Sequence, residues 1–198
     1  MKRIILATKN RGKLREFQAL FDKGTELLSL NDFPGMPEII EDGRTFFENA
    51  LKKARLVSKW TGEVSLADDS GLEVDALGAR PGIYSARYSG PGSTDQANIE
   101  KLLGELAGIS PELRTARFRC VLVLYYQNDT YDSVEGVLEG RIAEETRGSN
   151  GFGYDPVFWV PEYGKTVAEM SPDLKNRISH RSQALKKLIQ KLGEQADS

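Results

Sequence analysis

The sequence predicts a single α/β domain spanning residues 1–198, and three observations predict it. Short runs of apolar, strand-type residues recur along the chain. Segments with apolar residues at helical spacing lie between them, and no repeat, low-complexity tract or clean linker divides the chain. A chain of this length buries one sizeable core, or two lobes sharing a sheet, but hardly two independent domains.

Lys2 to Ala7 reads as a buried strand, and from Gly12 onward Leu14, Phe17, Leu20 and Phe21 recur at helical spacing. The turn Thr8 to Arg11 therefore joins strand to helix. Glu26 to Leu30 reads as a second strand, and an irregular stretch with Pro34, Gly35 and Pro37 ends near Glu41-Asp42-Gly43. A second helix, about Thr45 to Lys59, carries Phe47, Ala50, Leu51 and Ala54 on one face. Val64 to Ala67 is a short apolar run that stops at Asp68-Asp69-Ser70-Gly71, placing two carboxylates at a strand end, and Leu72 to Leu77 reads as another strand. Gly78 to Gly92, rich in Gly and Pro, reads as a long loop. A helix then starts near Ser93 or Thr94, with Ile99, Leu102, Leu103 and Leu106 inward. Thr115 to Gln127 and Tyr131 to Glu139 read as a hairpin turning at Asn128-Asp129. Pro156 to Val160 suggests one more strand, and Leu185, Leu188, Ile189 and Leu192 mark a C-terminal helix.

Composition narrows the function classes. Hydrophobic residues make up 39% and charged residues 28% of the chain, as in an ordinary globular protein. With 27 basic against 29 acidic residues the net charge is −2, so no global cationic field gathers nucleic acid. The apolar run after the first residues lasts only from Ile4 to Ala7, too short for an export signal. No stretch approaches the roughly 18 apolar residues of a membrane span. Cys120 is the single cysteine and His180 the single histidine, which excludes a Cys/His zinc site and an internal disulfide. A reducing cytoplasm fits, and any metal must be held mainly by oxygen.

Four segments could carry chemistry. Thr8-Lys9-Asn10-Arg11-Gly12-Lys13 sits between a strand and a helix N-terminus, where free N–H groups and added cations favour phosphate. It is not a Walker A loop, because Ala7 and Leu14 stand where that motif needs Gly and Ser/Thr. Asp68-Asp69 offers carboxylates able to hold a hard cation while one orients water, with Ser70 and Gly71 letting the backbone approach. Glu41, Asp42 and Glu48 could assist. Gly151-Phe152-Gly153-Tyr154-Asp155-Pro156 combines flexible backbone, two aromatics and an acid, suited to stacking a base and accepting from its N–H. Ser179-His180-Arg181 precedes the last helix, and Arg181 could donate to a purine carbonyl. Taken alone, each segment also fits a plainer role: a polar turn, capping aspartates, core aromatics, a helix-end histidine.

Together these segments resemble one family. TKNRGK at Thr8, FFENA at Phe46, KAR at Lys53, ADDSGLEVDALGARPGIYSARYSG from Ala67, GFGYDPVF from Gly151 and SHR at Ser179 look like the inosine triphosphate pyrophosphatases, which act on non-canonical purine nucleoside triphosphates. The match runs in order along nearly the whole chain. It implies a long, twisted mixed sheet with helices on two lobes around a nucleotide cleft, a homodimer, and Mg²⁺ as cofactor. By resemblance, Thr8, Asn10 and Lys13 belong to a triphosphate loop, with Lys53 a further phosphate contact. Glu41 and Asp69 match metal ligands, Asp69 also the general base, Asp68 an assisting acid and Ser70 a substrate contact. Phe152, Tyr154, Asp155, Lys175, His180 and Arg181 match the nucleobase pocket, where Phe152 would stack and Lys175 and Arg181 would face purine carbonyls. Lys9, Arg11 and Asp42 depart from the commonest residues of the family, without removing a required group.

The resemblance implies hydrolysis of dITP, ITP and XTP to the monophosphate and pyrophosphate, which sanitises the nucleotide pool. A water activated by a carboxylate would attack the α-phosphorus, and the lysines would stabilise the departing pyrophosphate. The rival is a non-catalytic nucleotide-binding module, with a nucleic-acid-binding protein further behind. The presence of Glu41, Asp68, Asp69 and Lys13 opposes the first and the balanced charge the second.

Overall fold

The N-terminal strand β1 (Lys2–Leu6) pairs in parallel with β2 (Thr25–Ser29), Lys2 opposite Thr25, and on its other side with β3 (Ser65–Val74), Ile5 opposite Ser65. The structure is a computed structural model and describes residues 2–21 and 24–196. Between these strands run the helices α1 (Arg11–Leu20) and α2 (Phe46–Thr61), as parallel pairing requires. β4 (Arg80–Pro81) pairs with β3, and α3 (Asp95–Glu105) follows. Then come β5 (Thr115–Tyr125), β6 (Tyr131–Ile142), β7 (Phe158–Val160) and β8 (Lys165–Thr166). Two helices end the chain, α4 (Pro172–Ile178) and α5 (His180–Ala196). The long mixed sheet has the order β2-β1-β3-β5-β6-β7-β8, with β4 on β3.

The chain divides into two compact units. One comprises residues 1–69, 120–136 and 181–198, the other 70–119 and 137–180. In the first unit Leu6, Phe17, Leu66, Cys120, Leu122, Leu124, Ala184, Leu185 and Leu188 form the core. In the second, Leu72, Val74, Ile99, Leu102, Leu106, Phe118, Tyr154, Phe158 and Met170 belong to a core of their own.

Local chemistry explains the helix starts. Asn10 caps α1, its Oδ1 accepting from the N–H groups of Gly12 and Lys13 at 2.8 and 3.0 Å. Thr45 caps α2 by accepting from Glu48 N–H, while Glu48 accepts from Arg44 N–H, so Glu48 serves the helix end and not a metal. Thr94, one of the two starts the sequence offers, caps α3, and Ile99, Leu102 and Leu106 are buried there.

Several expectations change. β3 does not stop at Asp68: it runs unbroken to Val74, and the separate strand expected at Leu72–Leu77 is its continuation plus a 3-10 turn. The strand persists because its buried carboxylates find cationic partners, so charge does not end it. The segment expected as a loop from Gly78 to Gly92 holds β4 and a 3-10 turn over Gly82–Arg87. α4 was not anticipated: its seven residues are too few for a helical period to emerge. Ile189, one of the apolar residues that mark α5, is 52% exposed.

Candidate active site

Successive strand residues point to opposite faces, and β3 uses this to give its two aspartates different partners. Asp68 accepts from Lys13 Nζ of α1 at 2.6 Å through Oδ1 and from Arg181 Nε of α5 at 2.5 Å through Oδ2. Cys120 Sγ lies 3.6 Å from the same Oδ2. Arg181 also pairs through Nη1 with Glu16. Asp69 meets α2 instead: Oδ1 accepts from Lys53 Nζ at 2.7 Å and Oδ2 from Asn49 Nδ2 at 3.3 Å. Lys53 Nζ has two further acceptors, Glu41 Oε1 at 3.1 Å and the Asp68 carbonyl at 2.9 Å. All three ammonium hydrogens are thereby engaged.

These bonds join four carboxylates, Glu16, Glu41, Asp68 and Asp69, to three cations, Lys13, Lys53 and Arg181. The balance is felt at Asp69. Burial pushes its carboxyl above the ordinary range, Lys53 and Lys13 pull it back, and nearby Glu41 pushes it up again, with a raised value as the result. Lys53 is also raised: burial lowers it, but Asp69 and Glu41 outweigh that. Asp69 is raised chiefly by burial and Lys53 by the two acids that face it, which leave the cluster short of positive charge. Arg181, fully buried, is likewise lowered by burial and lifted more strongly by Asp68 and Glu16.

An oxygen-rich cluster lacking positive charge fits a hard divalent cation. Among the described residues, however, no three His, Cys, Asp or Glu side chains are gathered to hold a metal alone. Glu41 and Asp69 are the two carboxylates able to share one, with the rest of its shell left to phosphate or water. Mg²⁺ keeps such a mixed shell by preference.

The loop before α1 differs from expectation. Its N–H groups are not free for phosphate: Asn10 takes those of Gly12 and Lys13, and Thr8 Oγ1 accepts from Asn10 N–H at 3.1 Å. Lys9 and Arg11 are exposed, whereas Lys13 reaches inward to Asp68. Asp42 stays outside the network, in an exposed pair with Lys52.

The second unit gathers the other expected residues around one loop. Asp155 Oδ2 accepts from Lys175 Nζ at 2.5 Å and from Phe152 N–H at 2.9 Å, and the same ammonium lies 4.9 Å from the Phe152 ring centre. Gly153 N–H donates to Asp95. Gly151 sits at φ +82°, and a Cβ there would fall 1.9 Å from Asp155 Oδ2, so both conformation and space demand glycine. Lys175 is delivered by α4, whose N-cap Ser171 and following Pro172 fix the helix start. Ser70, the first residue of this unit, is half-buried on β3.

Three residues expected in a base pocket have partners of their own in the protein. Tyr154 is buried with its hydroxyl donating to the Ser85 carbonyl at 2.9 Å, and burial raises its phenol. Its ring is a wall of the core. His180 stacks at 4.9 Å on Phe118, which stacks in turn on Phe158 at 4.3 Å. Arg181, one residue on, turns its guanidinium into the first unit, onto Asp68 and Glu16. A buried carboxylate is the stronger attraction for a fully desolvated guanidinium.

Glu16, Asn49 and Cys120 escaped the sequence reading. Glu16 stands three residues after Lys13 on α1, and Asn49 four before Lys53 on the buried stripe of α2 with Phe46, Ala50, Ala54 and Val57. Polar residues on an apolar stripe are a usable signal. Cys120 gives none inside its apolar run.

The sequence profile of the Ham1 family matches residues 4–191, and the chain belongs to that family. It is 53% identical to the dITP/XTP pyrophosphatase of Shouchella clausii, covering 93% of each chain. With the protein of that name from Geobacter sulfurreducens the identity is 52% and the coverage 98% of each. Of solved structures, the HAM1 protein of Coxiella burnetii superposes with a TM-score of 0.88 at 46% identity, over 98% of this chain and 100% of that one. The Staphylococcus aureus Ham1 protein gives 0.87 at 40% identity, with the same coverage.

Proposed function

We propose that this chain hydrolyses dITP, ITP and XTP to the nucleoside monophosphate and pyrophosphate, removing non-canonical purines from the nucleotide pool. The observation that carries this reading is the buried network in which Asp69 and Glu41 share Lys53 while Asp68 holds Lys13. Relatives at 50% identity or more bear the name dITP/XTP pyrophosphatase, which supports the substrate class.

Mg²⁺, held by Glu41 and Asp69, would supply charge neutralisation and polarisation at the phosphates. Asp69 accepts the proton of the attacking water. Lys13 and Lys53 stabilise the developing charge on the departing pyrophosphate, and Thr8 and Asn10 shape the turn that brings Lys13 there. Asp68, fully engaged, acts by orienting Lys13 and Arg181. Lys9 and Arg11, exposed beside Lys13, complete the phosphate loop, where Gly12 lets the backbone come close, and Ser70 adds a substrate contact.

Phe152 stacks on the base and Lys175 donates to its 6-keto oxygen, with Gly153, Asp155 and His180 framing them. ATP presents a donor at that position, a mismatch of about 1–3 kcal/mol per unsatisfied group. Arg181 in this reading serves the phosphate side through Asp68. The two units act as one domain, since the chain passes between them repeatedly and neither is a continuous segment. The working form is a cytoplasmic homodimer; no helix among the described residues is long and apolar enough to cross a membrane.

A nucleotide panel assayed with pyrophosphate and orthophosphate measured separately tests this. Turnover of ITP, dITP and XTP with release of pyrophosphate is expected. Binding without turnover with Mg²⁺ across neutral to alkaline pH would leave a silent nucleotide-binding module instead.

A further inference from the structure

Lys53 carries a conflict. On the reading above it donates to a phosphate, yet its three hydrogens already serve Glu41, Asp69 and the Asp68 carbonyl. Turning to substrate, it must release at least one of them. Something else must then keep the two metal-holding carboxylates in place.

Asn49 has the geometry for this. It is wholly buried on α2, one turn before Lys53. Its Oδ1 accepts from Gly43 N–H at 2.8 Å, two residues from Glu41, and its Nδ2 donates to Asp69 Oδ2 at 3.3 Å. The amide can sit only one way round, because a backbone N–H requires an acceptor and a carboxylate requires a donor. Space confirms the fit from the other side: a Cβ on Gly43 would stand 2.6 Å from Asn49 Oδ1. The turn that presents Glu41 thus closes on Asn49 and admits only glycine at that point.

We infer that Asn49 is a positioning residue that ties the Glu41 turn to Asp69, holding the two carboxylates as one divalent-cation site independently of Lys53. This rests on the proposed metal roles of Glu41 and Asp69, and it deepens them. Residues that orient metal ligands in this manner typically cost about 10–100-fold in metal affinity or activity when removed.

The test measures Mn²⁺ binding to the nucleotide-free full chain by electron paramagnetic resonance, together with ITP kinetics at saturating metal. Asn49→Ala is expected to weaken Mn²⁺ by about tenfold or more and to lower kcat while leaving the KM for ITP unchanged. Added to Glu41→Gln it should cost little further in Mn²⁺ affinity, because the tie has no purpose without Glu41. Unchanged Mn²⁺ affinity and kcat, or losses that simply add, would overturn the inference. Should Asn49→Ala fail to fold by circular dichroism, Asn49→Leu gives the same readout: it fills the space of the amide but can bond neither Gly43 nor Asp69. Failure of the parent protein to release pyrophosphate from ITP would overturn the activity and not the tie, since Mn²⁺ binding is read without nucleotide.

Discussion

The two units hold their polar residues by different means. In the first, Lys13, Lys53, Glu16, Glu41, Asp68, Asp69 and Arg181 are tied by charge to charge, mostly out of water, and each ion depends on partners far along the chain. In the second, a loop is set mainly by backbone bonds and glycine, with the buried pair Asp155–Lys175 beside the Phe152 ring. A mesh of buried ions is rigid and intolerant of deletion. In the proposed function, charge handling falls to the residues of the first unit and selectivity to the Phe152–Lys175 loop of the second.

The sharpest break of that contrast is Asp69→Asn. It keeps shape and removes the base, so turnover of ITP should fall by at least about 10³-fold with the fold intact by circular dichroism. A rate within a few-fold of the parent would end the role given to Asp69. Next comes Asp68→Asn, which strips Arg181 and Lys13 of their shared buried partner. Stability should drop by about 3–5 kcal/mol, read as a shift in urea midpoint at constant slope; an unchanged midpoint would contradict a load-carrying role for this carboxylate.

In the second unit the effects are smaller and selective. Lys175→Met should narrow the preference of kcat/KM for ITP over ATP by about tenfold. Arg181→Lys, by contrast, should lower both substrates in equal proportion, because its guanidinium serves Asp68 and Glu16. A selective loss for ITP would return Arg181 to the base pocket where sequence resemblance puts it.

That contrast also explains what the sequence could reveal. Helix starts at Thr45 and near Thr94 are legible because capping is local, whereas for α1 the sequence gives only the turn Thr8 to Arg11 and not its cap Asn10. The aspartate pair stood out as chemistry, but the continuation of β3 through it did not, since a local pattern treats charge as the end of a buried strand. The partners that permit the charge lie 55 and 113 residues away in Lys13 and Arg181. For the same reason the placement of Arg181 was invisible: nothing near Ser179-His180-Arg181 records which carboxylate it meets. Asn49 was hidden differently, as one polar residue inside a motif read whole.

The central claim is that the phosphate-handling residues of the first unit direct attack to the α-phosphorus and release the β- and γ-phosphates together. Turnover of ITP in ¹⁸O-labelled water, with products resolved by mass spectrometry, tests it most directly. The account predicts label in IMP and unlabelled, intact pyrophosphate. Label in pyrophosphate would mean attack at the β-phosphorus, and IDP with free phosphate would mean cleavage at the γ-position; either result would contradict it.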